Sequence, residues 1–488
     1  MTVYLVGAGP GDPGLITVRG AELLARADCI VHDRLANPAL LELAPATAER
    51  ISVGKAPGAV EMTQEQINAT LVERGKQYGC VVRLKGGDPY VFGRGGEEAE
   101  VLAAAGIAFE VVPGITSSIA AAAYAGIPVT HRTVSTSFTV VTGHEDPAKG
   151  RTDTDWDALA KTGGTLVILM GAARIGTIAQ LLIEGGRAPD TPVAAVRNGT
   201  RNDQSTIRAT LATIGAAGVK APSAIVVGHV AALDFAWFEH RPLFGRRIVV
   251  TRAREQASEL RTKLEALGAQ VLELPTIAIE PIEFELPQLR DFPWIVFTSA
   301  NGVDAFFERG LYARGLDARE LGSTRVGAIG TGTEAALSRY GVRANLVPPR
   351  FVAESLVEAF PEGAGRVLIA RAQVARDVLP DGLAAKGWNV EVLDVYRTVV
   401  AAPDPGAVDQ VRAGDVDAVT FTSSSTVQNF HAVVGALPAD GPTVASIGPI
   451  TSDTARSLGY RVDVEADPHT IDGLVQAVLD RLASAPTR

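Results

Sequence analysis

Residues 81–98 read VVRLKGGDPYVFGRGGEE. Val81 to Lys85 is an apolar-rich run of strand length, bounded by a loop. The loop carries five glycines between Gly86 and Gly96, and Glu97 and Glu98 then open a helix, where the helix dipole favours negative charge. Five glycines in eleven residues are too many for an ordinary surface turn. They expose backbone amides and carbonyls to a ligand at close range, which suits an adenosine-type molecule. Asp88 adds a carboxylate for a ribose hydroxyl or an ammonium group.

The same alternation extends outward. Val3–Val6, Cys29–His32, Phe109–Val112, Phe138–Thr142, Leu166–Met170, Pro192–Arg197 and Ala224–Gly228 read as further strands with amphipathic stretches between them, so the first half is α/β. Pro113-Gly114 marks a break between two lobes, about 1–113 and 114–240, because residues before proline avoid the helical region. The uncharged stretch from Val111 to Thr130 reaches membrane-spanning length but contains Pro113, Gly114, Gly126 and Pro128. It reads as a turn followed by an Ala-rich buried helix. Phe235–Arg247, with Pro242 and an arginine pair, reads as a linker.

Composition bounds the function. The 488 residues, 47% hydrophobic and 20% charged, predict a folded protein of several domains rather than a disordered chain. The formal net charge is −10, and both halves are acidic, which argues against a chain built to coat nucleic acid or an anionic membrane. Cys29 and Cys80 are the only cysteines, so neither a disulfide framework nor a Cys-rich zinc site is expected. No histidine pair has metal-ligand spacing, and His144-Glu145-Asp146 reads as a solvated turn. The chain opens directly on an apolar strand, and a cytoplasmic protein is expected.

The first strand runs into Gly7-Ala8-Gly9-Pro10-Gly11-Asp12-Pro13-Gly14. From Gly9 this satisfies G-x-G-x-x-G, with Asp33 ending the second strand roughly twenty residues on. Pro10 and Pro13 lack the N–H donors a pyrophosphate would need, which weakens the dinucleotide reading. Gly54-Lys55 is followed by Ala56, so there is no phosphate-binding P-loop either.

Taken together, the opening VGAGPGDPG loop, HDRL at 32–35, VGK at 53–55, RLKGGDPYVFGRGGEE at 83–98, PGITSS at 113–118, the strand ending in Met170 and RNGT at 197–200 closely resemble the uroporphyrinogen-III C-methyltransferases of the tetrapyrrole methylase family. The resemblance implies a two-lobed α/β enzyme, usually a homodimer, that holds S-adenosylmethionine between its lobes. It implies two methylations of uroporphyrinogen III to precorrin-2, on the way to sirohaem and cobalamin. By position, the cofactor contacts would be Pro10, Gly86, Gly87, Asp88, Val91, Thr116, Ser117, Met170 and Gly199. Asp33 stands in the place of the proton acceptor and Lys55 in that of the proton donor. His32 replaces a Tyr that relatives often carry. A methyl sulfonium is already activated, so alignment and proton management are what such an enzyme must add. Without the resemblance, Asp33 is equally readable as a strand-end cap and Lys55 as a solvated lysine.

The second half contains a repeat. Arg247–Arg252 is similar to Arg366–Arg371, Ile295–Ser299 to Val419–Ser423, and Val326–Gly330 to Val444–Gly448, each pair roughly 120 residues apart. Repeated blocks in one order predict two copies of one α/β lobe, and a cleft between lobes is a common small-molecule site. VVTRA at 249–253, VFTSANGV at 296–303, AIGTGT at 328–333, DVYRT at 394–398, FTSSSTV at 421–427 and SIGPIT at 446–451 resemble uroporphyrinogen-III synthase. That family implies an enzyme domain over 246–488, with one lobe threaded from both ends (246–281 plus 398–488) and the other from 282–397. The implied reaction closes hydroxymethylbilane into uroporphyrinogen III with loss of water and inversion of the last ring. Ser299, Asn301, Thr331, Ser424 and Thr451 lie at strand ends suited to an octa-carboxylate substrate, with Arg252 and Arg371 as cationic partners facing one another. Tyr396 is placed to assist departure of the hydroxyl. No nucleophile–base pair is present, so confinement of the folded substrate is expected rather than covalent catalysis. Two alternatives stay open: a methyltransferase of another substrate, and a second half that binds without catalysing.

Overall fold

The computed structural model describes residues 1–54, 62–144, 154–251, 254–275, 277–401, 404–438 and 440–483. It divides into two units, one built on Met1–Arg246 and one on the chain beyond. Both are α/β, with two five-stranded sheets each.

In the first unit, β1 (Thr2–Gly7), β2 (Cys29–His32), β3 (Glu49–Ser52), β4 (Cys80–Lys85) and β5 (Ala108–Val112) form a sheet in the order β3-β2-β4-β1-β5 with parallel pairings. Parallel strands covered on both faces need continuous apolar runs. Val3, Leu5, Val6, Ile30, Val31, Val81, Val82 and Leu84 are accordingly fully buried. The second sheet has the order β6-β7-β10-β8-β9, from β6 (Phe138–Thr142), β7 (Thr165–Leu169), β8 (Pro192–Arg197), β9 (Ser205–Thr210) and β10 (Ser223–Val227). Here β6 and β7 are parallel, while β10 runs antiparallel to β7 and β8. The helix Ser117–Tyr124 buries Ala120, Ala121 and Ala122, as the Ala-rich stretch predicts. Among the described residues no helix is long and apolar enough to cross a membrane.

β3 and β9 are absent from the sequence reading. Both are edge strands with polar side chains on their half-exposed faces, so neither shows an apolar run. The stretch read as a linker differs more. Phe238 is buried, and its ring lies 4.8 Å from Tyr124 and 5.3 Å from Phe244. Trp237 donates its indole N–H to Ala123 O at 3.0 Å. Aromatic side chains here pack back onto the first unit, where a spacer would have polar ones.

In the second unit, the strands are β11 (Arg247–Val250), β12 (Gln270–Glu273), β13 (Ile277–Pro281), β14 (Trp294–Phe297), β15 (Arg325–Ala328), β16 (Gly365–Ala372), β17 (Trp388–Val400), β18 (Ala418–Phe421), β19 (Thr443–Ser446) and β20 (Val464–Glu465). They form sheets β12-β11-β18-β19-β20 and β13-β17-β16-β14-β15. The repeated blocks occupy equivalent places, β11, β18 and β19 in one sheet matching β16, β14 and β15 in the other. Consecutive copies do not each build a lobe, however. The first block of each copy pairs with the later blocks of the other copy, so the two repeats exchange their leading strands. β13, in the stretch expected to belong with 246–281, instead pairs antiparallel with β17 in the other sheet.

Candidate functional site

Three loops meet at the carboxyl ends of β1, β4 and β5. Gly9 N–H donates to Gly87 O at 3.2 Å, and Gly87 N–H to Gly9 O at 2.8 Å. A Cβ on Gly114 would fall 2.3 Å from Gly87 O and 2.6 Å from Gly7 Cα, so only glycine fits this backbone-on-backbone contact. Asp88 ties the loops together: Oδ1 accepts from Tyr90 N–H at 2.8 Å and Oδ2 from Gly114 N–H at 2.9 Å. Its carboxylate therefore organises backbone as well as facing the space beyond.

That space is a cavity of about 480 Å³, within the ordinary range for small-molecule sites. Pro10, Gly86, Gly87, Asp88, Val91, Thr116, Ser117, Met170 and Gly199 all line it, bringing together loops of both sheets of the first unit. Thr116 caps the helix Ser117–Tyr124, accepting from Ser118 N–H. Gly199 approaches that helix so closely that a Cβ would sit 2.4 Å from the Ala121 methyl. Backbone strain concentrates here. Among the described residues the non-glycine positions with positive φ are Phe92, Arg94, Met170, Asn198 and Thr200. Phe92, Met170 and Asn198 line the cavity, and the other two lie within two residues of it. Strain of this kind persists only where surrounding structure holds it, and it gathers at ligand sites.

The walls suit S-adenosylmethionine. Pro10, Val91, Leu169, Met170 and Val196 offer apolar surface for a flat base, Thr116, Ser117 and Asn198 offer hydroxyl and amide groups, and Asp88 is the carboxylate among the lining residues. His144, read as part of a solvated turn, also lines the cavity, whereas Glu145 and Asp146 lie outside the described residues.

Asp33 follows β2; it is not among the residues that line this cavity, but it touches one of them, Gly86. Arg83 Nη2 lies 2.6 Å from its Oδ1, and Gly86 N–H reaches its Oδ2 at 3.4 Å. Arg83 in turn donates through Nε to Glu98 Oε1 at 3.1 Å, which also takes Lys85 Nζ at 2.9 Å. Glu98 is wholly buried, and Arg83 and Lys85 are nearly so. Burial pushes the Lys85 ammonium below its usual pKa, with Arg83 adding to the effect and Glu98 opposing it. Sequence reasoning missed this network. The available signal was Arg83 and Lys85 at alternate positions of a strand whose interior should be apolar. Glu97, by contrast, forms an exposed pair with Arg94 at 2.7 Å. Lys55 lies outside the described residues.

In the second unit, Ser299 caps the helix Ala300–Ala305, accepting from Gly302 N–H at 2.9 Å, and its Oγ is 3.0 Å from the Tyr396 hydroxyl. Tyr396 is buried, which raises its pKa above the usual tyrosine value, against the pull of the Ser299 hydrogen bond. Asn301 lies in the same helix, and Thr331 opens the helix Thr331–Arg339 after β15. Ser424 opens the helix Ser424–Val434 after β18. Its Oγ donates to Ile450 O at 3.3 Å and accepts from Thr454 at 2.8 Å, next to the buried Thr451 of the helix Pro449–Ser457. The hydroxyls thus gather in two groups, one on each sheet. Arg371 departs from the expected free cation. Its side chain is largely buried, 3.0 Å from Asp377 and 3.9 Å from Asp394, because the chain after β16 turns a carboxylate back onto it. Arg252 lies outside the described residues. A second hollow of about 480 Å³, lined by Glu465, Asp467, Asp480 and Arg481 among others, includes none of the predicted residues.

Two sheets closing on a strained, glycine-rich cavity define a small-molecule-binding α/β unit, joined to a second unit of exchanged repeats. Residues 2–215 match the family model of Tetrapyrrole (Corrin/Porphyrin) Methylases, and residues 258–476 that of Uroporphyrinogen-III synthase HemD. The "Porphyrin biosynthesis protein HemD" of Ruminiclostridium josui is 39% identical over 98% of this chain and 97% of its own length. The "S-adenosyl-L-methionine-dependent uroporphyrinogen III methyltransferase" of Methanosarcina barkeri is 56% identical over 49% of this chain and 95% of its own. A solved uroporphyrin-III C-methyltransferase of Thermus thermophilus, complexed with S-adenosylhomocysteine, is 38% identical over 48% of this chain and 99% of that one, with a TM-score of 0.42. The chain belongs to the tetrapyrrole methylase family in its first half and to the uroporphyrinogen-III synthase family in its second.

Proposed function

We propose that the chain is a bifunctional enzyme that cyclises hydroxymethylbilane to uroporphyrinogen III and methylates that product twice, to precorrin-2, for the sirohaem or cobalamin branch. The cofactor is S-adenosylmethionine, which supplies a methyl group already activated on a sulfonium. What carries the reading is that the nine positions matched to the family's cofactor contacts all line one cavity.

Asp88 and the glycine loops bind and orient, and the apolar walls exclude water. Asp33 acts as the base that takes a proton from the macrocycle when a ring carbon is methylated, with Arg83 fixing the direction of its carboxylate. Lys55 serves as the proton donor. In the second half, Ser299, Asn301, Thr331, Ser424, Thr451 and Arg252 hold the substrate's carboxylates, and Tyr396 gives a proton to the departing hydroxyl, with Ser299 directing the phenol. The chain works in the cytoplasm, as a homodimer formed through its first half.

Incubating the purified chain with hydroxymethylbilane tests both activities. Uroporphyrinogen III should form without S-adenosylmethionine, and a dimethylated product with it. Methylation of supplied uroporphyrinogen III without any cyclisation would make the second half a binding module.

A further inference from the structure

Asp12, in the loop that carries Gly9 and Pro10 to the cavity, is gripped from two sides. Its N–H donates to Thr200 Oγ1 at 3.0 Å, and its Oδ2 accepts from the Tyr124 hydroxyl at 2.8 Å. Each grip leads back to the stretch after the last strand of the first unit. Thr200 N–H donates to Gln204 Oε1 at 2.8 Å, and Gln204 Nε2 donates to Glu239 Oε1 at 2.7 Å, an oxygen that also accepts from Thr206 at 2.7 Å. On the other arm, Tyr124 packs its ring 5.0 Å from Trp237 and 4.8 Å from Phe238, with the Arg241 guanidinium over both of those rings.

Thr200 is the telling residue. It is β-branched, 3% exposed and held at φ +73°, a conformation that such side chains rarely adopt. Neither its hydroxyl nor its amide faces solvent; both are spent on this chain of hydrogen bonds. A strained residue held by hydrogen bonds to Asp12 and Gln204 costs stability, and it is retained where the position of a loop matters.

We infer that Thr200 and Glu239 are positioning residues for the cofactor: through Asp12 they hold the Gly9–Pro10 wall of the cavity in its binding position. The inference rests on the proposal that this cavity takes S-adenosylmethionine. It makes residues 235–239 part of the methyltransferase machinery.

The test compares four full-length variants in direct S-adenosylmethionine binding and in steady-state methyl transfer. Thr200→Val and Glu239→Leu remove the acceptor oxygens with similar bulk, the first from the Asp12 N–H and the second from Gln204 and Thr206, and each should raise the cofactor Kd and KM by about tenfold, the scale of a hydrogen-bond donor left unsatisfied. The kcat at saturating cofactor and the KM for the tetrapyrrole should stay within about twofold of wild type. Thr200→Ser and Glu239→Gln keep an acceptor oxygen and should restore affinity, a rescue that general loosening of the fold would not produce. Should the first two variants fail to fold, hydrogen exchange on the intact protein decides. The Asp12 amide should exchange as slowly as those of the strands, and fast exchange there would overturn the inference. Wild-type affinity in Thr200→Val and Glu239→Leu would overturn it too, while leaving the cofactor reading intact. Failure of the wild-type chain to bind S-adenosylmethionine or its demethylated product would instead overturn that reading, and this inference with it.

Discussion

Arg83 holds Asp33 by a 2.6 Å contact between Nη2 and Oδ1, from a guanidinium only 2% exposed to a carboxylate 31% exposed. One partner is anchored in the floor of the sheet and the other reaches toward solvent, so the carboxylate has a fixed direction and an accessible face. Asp33→Asn keeps the shape and loses the base. It should fold, bind S-adenosylmethionine and lose methyl transfer by roughly 10²–10⁴-fold, the usual cost of removing a general base. Near-normal turnover in a methyl-transfer assay would remove Asp33 from the mechanism.

Arg83→Met should behave differently. It leaves Glu98 buried with Lys85 as its remaining cationic partner and frees Asp33 to rotate. Breaking a buried ion pair on one side typically costs about 3–5 kcal/mol, so the variant should be visibly destabilised in urea unfolding as well as impaired in turnover. Unchanged stability would mean that water replaces the guanidinium at no cost.

The contact between Gly114 and Gly87 gives a steric prediction. Gly114→Ala would bring a methyl within 2.3 Å of Gly87 O and 2.6 Å of Gly7 Cα, with backbone on both sides and nothing flexible to move. Overpacking of this kind costs about 1–3 kcal/mol where side chains can adjust, and more should be expected here. Both the melting temperature and S-adenosylmethionine affinity should fall. A variant with wild-type affinity would show that the three loops can part without harm to the cavity.

The glycine-rich cavity was legible because its chemistry is local: loops at strand ends must carry glycine, and glycines are visible in sequence. The edge strands β3 and β9 were not, since a strand half exposed to water carries no apolar run. The repeat was visible in the second half, but spacing along the chain is the same whichever sheet a strand joins, so the expectation of a lobe threaded from both ends of the segment rested on the family resemblance and not on the repeat. Charge was the hardest to place. Glu97 and Glu98 are neighbours with one sequence signature, yet one pairs on the surface and the other lies at the centre of a buried network. Only the direction of a helix face separates them.

Arg371 illustrates the same difficulty and carries a prediction. Because its side chain is 12% exposed and paired with Asp377, its charge is already met within the fold. Arg371→Ala should therefore lower folding stability and leave the KM for hydroxymethylbilane unchanged. Arg252→Ala should raise that KM. An effect of Arg371→Ala on KM at unchanged stability would mean that the Asp377 pair opens for the substrate.

Tyr396 and Ser299 give a prediction in rate and a second in pH. Tyr396→Phe keeps the ring in its buried site and removes the 3.0 Å contact with Ser299. If the phenol donates the proton, cyclisation should slow by about 10²-fold or more while bilane affinity stays level. The pH dependence follows from burial, which raises the folded pKa of this hydroxyl above the ordinary value of 10.0. As pH rises, the unfolded chain loses that proton first, so above pH 10 the tyrosine favours unfolding. Its contribution to stability is complete below about pH 10 and fades as pH climbs through the folded value. The stability difference between wild type and Tyr396→Phe should accordingly be constant from neutral pH to about 10 and shift against the wild type beyond it. Denaturant melts at a series of pH values would measure this. A difference that stays level through and beyond pH 10 would place the hydroxyl in water instead of in the core, and would end its case as a protected proton donor.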